Sequence, residues 1–514
     1  MIKAVFAKLH RNPIVKSSLA IGLITVGAKI LGYVEKVILA YYFGTSYEVD
    51  VYNVVLAIIL SVFLFFRELI EPGFLNTFLK ATGLKDHRGA WGLFNFYFRI
   101  ILLITILLSV VVCLMPNYII QLFAPGFHAE KKEMANTLIK FTFPASIFLS
   151  LSALTNITLN GLKKFALPSS GELVFKASVL ICLTLLYHTA GIYAAVIGVV
   201  IGAILKLLLH LTALYKELSF KKLPVNSTYL TNSWNLSWPL LVGVIFSQVT
   251  GLVDNIFASY QQEGAISALN YSKKLVDLPV LIFPYILSVV IFPYFSELSL
   301  AKEKEKLSQL LAQSLSWITL FFLPFALFLN LFSYQIVEIV FQRGAFDGNS
   351  TLLTARPLAF YAMGMLFFAI ETVLVIFYFA NSNIKTPVAI GILCVIENML
   401  LTFAFVNLFG YAGIALALVV SKATKTIVLL LLLKKELLIN FKAVAAFLYK
   451  VLIAGGITGL ALFSYQAIFQ TSIKSVVHKA GFLLAAFLIG TLVYVLVLFL
   501  LKIRKNLVTN SLVS

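Results

Sequence analysis

The chain is short of charged residues, and above all of acidic ones. Only 12% of its 514 residues are charged and 61% are hydrophobic, whereas a soluble domain is about 25% charged. Lysine and arginine outnumber aspartate and glutamate by 40 to 21, which gives a formal net charge of +19. The basic residues lie at the ends of apolar runs or inside them, as in membrane proteins. The composition therefore predicts a membrane protein, and we expect no nucleic-acid partner.

Residues that build metal centres, disulfides and catalytic groups are also scarce. The three cysteines, Cys113, Cys182 and Cys394, lie in apolar runs without metal-ligand spacing, and we interpret them as small core residues. The six histidines are scattered, and the sequence contains no glycine-rich GK[ST] loop for nucleotide phosphates. We predict no enzymatic activity, no metal site and no cofactor. We also expect no cleavable signal peptide, because the apolar run after the basic N-terminus is too long.

Long apolar runs are what the chain has in abundance. A membrane-spanning helix needs about 20 apolar residues, and the sequence predicts fourteen such spans. Alternate loops are rich and poor in lysine and arginine, which predicts that both termini lie in the cytoplasm. The expected location is therefore a membrane that borders the cytoplasm. The predicted spans are 17–42, 51–79, 91–115, 135–160, 168–187, 190–215, 235–260, 265–296, 308–332, 352–380, 386–409, 411–433, 443–469 and 480–501.

The first twelve predicted spans form a repeat. The same number of residues separates Gly32 from Gly251, Glu35 from Asp254, and Pro168 from Pro387. Each half has six spans, so both halves insert in the same direction, and such parallel repeats place a substrate site between them. The predicted fold class is an all-α polytopic membrane protein with two six-helix repeats. We divide it into an N-lobe (1–222), a C-lobe (223–436) and an appended pair of spans (437–514).

Five basic residues lie inside apolar spans. A charge at the centre of a membrane helix costs about 2.5–3.5 kcal/mol, and such residues usually have a function. We predict that they line a cavity for an anionic, phosphate-bearing substrate. In the alternative interpretation they are structural, with Lys36 paired to a nearby acid such as Glu35. The five residues are Lys29 and Lys36 in the first span, Arg67 in the second, and Lys273 and Lys274 in the eighth.

Two acidic residues are spaced to pair with these cations. Glu71 follows Arg67 by four residues, and Asp277 follows Lys273 by four, so each pair shares a helix face. We interpret both acids as pairing or gating residues, which leaves Lys274 as the better substrate ligand of the eighth span. The Pro72–Gly73 dipeptide is predicted to break the second span.

A second group of polar residues predicts ion coupling. Asp254 lies in the seventh span, and Glu397 and Asn398 lie in the eleventh. Carboxylate and amide oxygens suit Na⁺ or a proton relay. In the alternative interpretation these residues pair with Lys422 or Lys425 of the twelfth span.

Several segments resemble the MurJ (MviN) family of lipid II flippases. They are KSSLAIGLITVGAKILGYVEKVILAYYFG followed by Asp50, then ISALNYSKKLVDLP, FQRGAFD, LAFYAMGM, FYFANSNIKTPVAI and GYAGIALAL, in the family's order. The resemblance implies the multidrug/oligosaccharidyl-lipid/polysaccharide exporter superfamily, which includes the MATE exporters. It implies two lobes around a central cationic cavity, and two last helices that hold the polyprenyl tail.

The chain also departs from the family at several positions. Lys29 and Lys274 stand where the family has arginine, which keeps the charge but loses the bidentate fork. Glu35 and Lys36 reverse the order of an arginine–aspartate pair, and Leu418 replaces a threonine near the sodium site of some members. Arg67 matches the family's second-span arginine only after a short insertion.

Together with the cations inside the spans, the resemblance implies a flippase for lipid II, the undecaprenyl-diphosphate-linked peptidoglycan precursor, working by alternating access for cell-wall synthesis in the bacterial cytoplasmic (inner) membrane. The expected partners are this lipid-linked anionic glycan, membrane lipids and, as an open question, cell-wall synthesis proteins. Coupling to Na⁺ or H⁺ is left open. Three alternatives remain: a flippase for another lipid-linked oligosaccharide, a cation-coupled small-molecule exporter, and a non-transporting scaffold.

Overall fold

The computed structural model describes residues 13–218, 226–238, 241–433, 437, 441–469 and 475–503. Within these ranges the chain forms eighteen helices and no strand. In chain order they are α1 (Pro13–Phe43), α2 (Tyr47–Gly83), α3 (His87–Leu114), α4 (Pro116–Phe123), α5 (Ala129–Thr142), α6 (Ala145–Gly161), α7 (Ala166–Ala190), α8 (Tyr193–Leu214), α9 (Ser227–Ser237), α10 (Leu241–Ser259), α11 (Ala265–Leu300), α12 (Lys304–Leu331), α13 (Ser333–Phe341), α14 (Gly348–Ala380), α15 (Lys385–Phe409), α16 (Ala412–Leu433), α17 (Phe441–Phe469) and α18 (Val476–Leu500).

Ten of these helices are long and apolar enough to cross a membrane. They are α2, α3, α7, α8, α12 and α14–α18, and the pair α5–α6 adds an eleventh span if its two members are counted as one. This pair bends by 47°, at a break that contains Pro144, because proline interrupts helical hydrogen bonding. The prediction of an all-helical, multi-pass membrane protein is confirmed. The count of fourteen spans and the repeat remain predictions.

The predicted helix break at Pro72 and Gly73 is wrong. Helix α2 runs without interruption from Tyr47 to Gly83. A long helix packed among others tolerates the loss of the one backbone hydrogen bond that proline removes. Gly73 has a different role. A Cβ atom at this position would lie 2.1 Å from the carbonyl oxygen of Ser233 in α9. Glycine therefore permits α9 to pack directly on the backbone of α2.

The chain divides into two compact units, Met1–Ser267 and Ala268–Ser514. In the first unit, α7 packs against both α1 and α8, and α6 packs against α2 and α8. In the second unit, α14 packs against α12 and α16, α15 packs against α16, and α17 packs against α18 and α12. The predicted boundaries at residues 222 and 436 remain predictions.

Helices α7 and α8 approach each other closely through glycine. A Cβ at Gly198 would lie 2.6 Å from the Cα of Val179, and one at Gly202 would lie 2.9 Å from the carbonyl oxygen of Phe175. Such contacts leave no room for a side chain at the crossing. The close approach buries Lys206 and the other residues of α8 that face α7.

The cysteines only partly follow the sequence-based interpretation. Cys394 is buried in α15, as a core residue should be, but Cys113 and Cys182 are half-buried. Helices that face lipid expose apolar side chains on one side, so an apolar run does not distinguish a core position from a lipid-facing one. The interpretation of all three cysteines as core residues is therefore right for Cys394 alone.

Candidate substrate-binding site

The first unit holds an ion pair between α1 and α7. Lys176 Nζ donates to Glu35 Oε2 at 2.8 Å; the Glu35 side chain is 2% exposed and that of Lys176 is 26% exposed. Lys36, the neighbour of Glu35, faces another helix: its Nζ donates to Asn53 Oδ1 of α2 at 2.9 Å. Adjacent residues of a helix point in different directions. The salt bridge of Glu35 is thus made by a lysine far along the chain.

A second ion pair joins α7 to α8. Lys206 Nζ is in hydrogen-bond contact with Glu172 Oε1 and lies 5.1 Å from the centroid of the Phe63 ring. Only 2% of the Lys206 side chain is exposed, compared with 42% of the Glu172 side chain. Glu172 is also within electrostatic range of Lys176 and Arg67. Basic side chains of α2, α7 and α8 are therefore linked through the carboxylates of Glu35 and Glu172.

Sequence analysis missed Lys176 and Lys206. Both lie inside predicted spans, 168–187 and 190–215, so the criterion that selected Lys29 would have selected them as well. What the sequence does not supply is the counter-charge of each lysine, because that carboxylate lies on another helix.

The predicted substrate ligands fall in both units. Lys29 and Lys36 are half-buried in α1, and Arg67 of α2 forms a salt bridge with Glu71 at 3.6 Å, as their spacing predicts. The remaining two belong to the second unit, where Lys273 is exposed and Lys274 is half-buried in α11. That all five line one cavity stays a prediction, as does a pairing or gating role for Glu71 and Asp277.

The second unit contains a three-membered ionic cluster. Lys422 Nζ and Lys425 Nζ of α16 lie 2.9 Å and 2.7 Å from the two carboxylate oxygens of Glu371 in α14. The alternative in which these lysines pair with Glu397 is therefore wrong: Glu397 accepts a hydrogen bond from Thr424 Oγ1 at 2.8 Å. Helix α16 packs against both α14 and α15, so either helix can supply a partner, and here α14 supplies it.

The predicted ion-coupling residues lie in different units. Asn398 is buried in α15 of the second unit, whereas Asp254 is half-buried in α10 of the first. Their coupling role, with that of Glu397, stays a prediction.

Asp50, near the start of α2, is the most thoroughly engaged carboxylate described in the first unit. Its side chain is 2% exposed, and its oxygens accept from Gly264 N at 2.8 Å, Ser267 N at 2.9 Å and Ser267 Oγ at 2.6 Å. Lys131 Nζ adds a salt bridge at 3.2 Å. The first amides of a helix lack partners within it and carry partial positive charge, so a carboxylate there is stabilising. Asp50 therefore caps α11 from another helix.

Many apolar helices that hold paired charges inside the spans are typical of a membrane transporter, and the fold agrees. The structure is similar to the inward-facing conformation of a multidrug resistance MATE family transporter of the MOP superfamily. The TM-score is 0.68 at 11% sequence identity, and the match covers 81% of this chain and 94% of that one. The fold class is that of the MATE-like transporters.

The comparisons then define the family. The family model described as lipid II flippase MurJ matches residues 39–488. A probable lipid II flippase MurJ from Buchnera aphidicola is 26% identical over 505 residues, 96% of this chain and 97% of the relative. A solved lipid II flippase MurJ in its inward closed conformation matches with a TM-score of 0.78 and 25% identity, over 93% and 98% of the two chains. The chain belongs to the MurJ family of lipid II flippases, a family of multi-pass inner-membrane proteins, as its motifs indicated.

Proposed function

We propose that this protein carries lipid II from the cytoplasmic to the periplasmic leaflet by alternating access. The observation that carries the proposal is that two lysines inside apolar helices, Lys36 and Lys176, keep partly exposed side chains while Asn53 and Glu35 hold them in place. Fixed ammonium groups in a medium of low dielectric are suited to bind a diphosphate. The substrate head group can then leave water while its prenyl chain stays in the lipid.

Lys29 and Lys274 stand where the family has arginine, and this affects how the diphosphate is held. An ammonium group binds phosphate as a point charge, whereas a guanidinium binds two oxygens with a planar fork. We propose that Lys29, Lys36, Arg67 and Lys274 bind the diphosphate together, with Lys273 as a weaker contributor. The diphosphate drives closure only to the extent that it binds the closed state more tightly than the open one.

Complementation of a conditional lipid II flippase mutant tests the proposal. We expect the unaltered chain to restore growth, and the variants Lys29→Ala, Lys36→Ala, Arg67→Ala and Lys274→Ala each to fail while reaching the membrane at normal levels. Lys164→Ala is the matched control, because Lys164 pairs with Glu217 at 3.0 Å with both side chains more than a third exposed. Full growth with Lys29 and Lys274 both replaced would contradict the proposal.

Two further parts of the proposal have tests of their own. We propose that α17 and α18 form the apolar track for the prenyl chain, so deletion of residues 440–514 should leave a folded protein that still binds soluble diphosphate-sugar analogues but does not flip the polyprenyl-linked form. We also propose cation coupling through Asp254, Asn398 and Glu397. Transport that is unchanged across Na⁺ concentrations and pH would rule that coupling out.

We further propose fourteen spans with both termini in the cytoplasm. The ten apolar helices, the bent pair α5–α6 and the charge-bearing helices α1, α10 and α11 together make this number. In a cysteine-free background, an impermeant reagent added to intact cells should label Lys132→Cys and leave Arg88→Cys unlabelled until the cells are lysed. Labelling of position 88 but not 132 would reverse the orientation.

A further inference from the structure

Helix α7 makes one ion pair with α1 and one with α8, and these two pairs are buried in opposite senses. In the pair between α1 and α7, the carboxylate of Glu35 is buried and Lys176 is partly exposed. In the pair between α7 and α8, Lys206 is buried and the Glu172 side chain is 42% exposed. Glu172 is therefore the more exposed carboxylate of the two pairs.

Lys206 is held in place from three sides. A Cβ atom at Gly171 would lie 3.2 Å from Lys206 Cγ, so the backbone of α7 lies directly against its stem. The ring of Phe63 lies beneath the ammonium group, and Glu172 is its carboxylate partner. A buried ammonium requires a compensating negative charge nearby. Lys206 thus depends on a negative charge close to its ammonium group, and Glu172 supplies that charge in this structure.

His210, one turn after Lys206, adds no charge to this site. Its Nδ1 lies 2.9 Å from Thr155 Oγ1, and that hydroxyl lies 3.1 Å from the Ser152 carbonyl oxygen, to which it donates. A hydroxyl has one hydrogen, so a Thr155 hydroxyl that donates to the carbonyl accepts from Nδ1–H, whereas a proton on Nε2 would need an acceptor of its own. Nε2 is buried against Gly171 with no hydrogen-bond partner in the described part of the chain. The imidazole is therefore assigned as neutral.

The charged surroundings of Glu172 come from the helices packed around α7 and α8. Helix α6 contributes none, because its sequence from Ala145 to Gly161 has no ionisable side chain. Basic groups are in the majority close to Glu172 itself, where Lys206, Lys176 and Arg67 act on it. The charged residues and histidines of the four helices involved are Lys16, Lys29, Glu35 and Lys36 of α1, Glu48, Asp50, Arg67, Glu68, Glu71 and Lys80 of α2, Glu172, Lys176 and His188 of α7, and Lys206 and His210 of α8.

We propose that Glu172 is a proton-binding site, which takes up one proton when a diphosphate occupies the basic side chains beside it and releases that proton when the diphosphate leaves. The idea rests on the proposed function, because it needs an anionic ligand at Lys176 and Arg67. A diphosphate there places negative charge beside the exposed carboxylate, and like charges repel strongly in a medium of low dielectric. Protonation from water removes the repulsion, and the diphosphate supplies the negative charge that Lys206 needs. Substrate binding and proton uptake are thereby linked.

Proton uptake can be measured as the full-length protein binds a soluble prenyl diphosphate. The probe is farnesyl diphosphate, added to protein in lipid nanodiscs in a calorimeter, at several pH values and in buffers of different ionisation enthalpy. Uptake of one proton weakens binding by about tenfold for each unit of rising pH. The ligand titrates too, but identically for every variant, so differences between variants report the protein.

We expect Glu172→Gln to bind about one proton fewer than the unaltered protein and to lose that part of the pH dependence. The control is Glu217→Gln, the same substitution in the Lys164–Glu217 pair, which should behave like the unaltered protein. The double variant Glu172→Gln with Lys206→Met leaves no buried charge unpaired. The double variant should therefore fold and should lose the same part of the pH dependence, so it replaces the single variant in the test if the single variant does not fold.

The outcomes separate the two proposals. The proton site is overturned if Glu172→Gln, or the double variant, takes up as many protons as the unaltered protein does. The flippase proposal would still stand after that result. Failure of the unaltered protein to bind farnesyl diphosphate at any pH overturns diphosphate recognition, and the proton site with it.

Discussion

Replacing Asp50 with alanine is expected to lower the free energy of unfolding by about 3–5 kcal/mol, the usual cost of breaking a buried ion pair. The change leaves the Gly264 and Ser267 amides and the Lys131 ammonium without the carboxylate that they share. Thermal unfolding of the purified protein in detergent measures the effect. The stability of Asp50→Asn should lie between that of the unaltered protein and that of Asp50→Ala, because the amide oxygen still accepts one hydrogen bond but the charge is gone.

The matched control for this prediction is Asp347→Ala. Asp347 also caps a helix, accepting from Ser350 N at the start of α14 at 2.8 Å, but it is exposed. Its loss should cost about 1 kcal/mol. The hydrogen bond from Ser350 lowers the pKa of Asp347, so this cap contributes at neutral pH and is lost as the pH falls through that lowered value. Equal losses for Asp50→Ala and Asp347→Ala would show that the buried network adds nothing.

Glu371→Gln is expected to have a comparable effect in the second unit. The substitution leaves Lys422 and Lys425, both within 3 Å of the Glu371 carboxylate, without their shared negative charge. Uncompensated buried charge costs about 3–5 kcal/mol. The predicted result is a marked fall in the amount of folded protein and in its unfolding temperature, measured by fluorescence-detected size-exclusion chromatography.

A second substitution tests the cause of that loss. Removing one positive charge with Lys425→Met in the Glu371→Gln background should restore part of the lost stability, because one ammonium fewer needs compensation. Glu303→Gln, in a surface pair with Lys306, is the control and should change stability by less than about 1 kcal/mol. If Lys425→Met destabilises the Glu371→Gln variant further, charge compensation is not what Glu371 provides.

The sequence predicted membership of the transporter class and of the family better than it predicted individual contacts. Hydropathy and the positions of lysine are properties of short segments, so all-helical spans and intramembrane cations could be recognised residue by residue. The Arg67–Glu71 pair was predicted for the same reason, since its members lie one turn apart. The break at Pro72 was predicted wrongly, because local propensity omits the packing that keeps α2 continuous.

Composition, run length and motif order by themselves determined that this chain is a multi-pass helical membrane protein of the MurJ family. Only the tertiary structure decided which charges compensate one another. Glu35 forms a salt bridge with Lys176, which lies 141 residues away in the chain. Glu371 pairs with Lys422 and Lys425, which the sequence had suggested as partners of Glu397. The physical reason is that a charge in an apolar medium must be paired. Its partner depends on which helices lie side by side, and in this chain glycines such as Gly73, Gly198 and Gly202 let those helices come close enough.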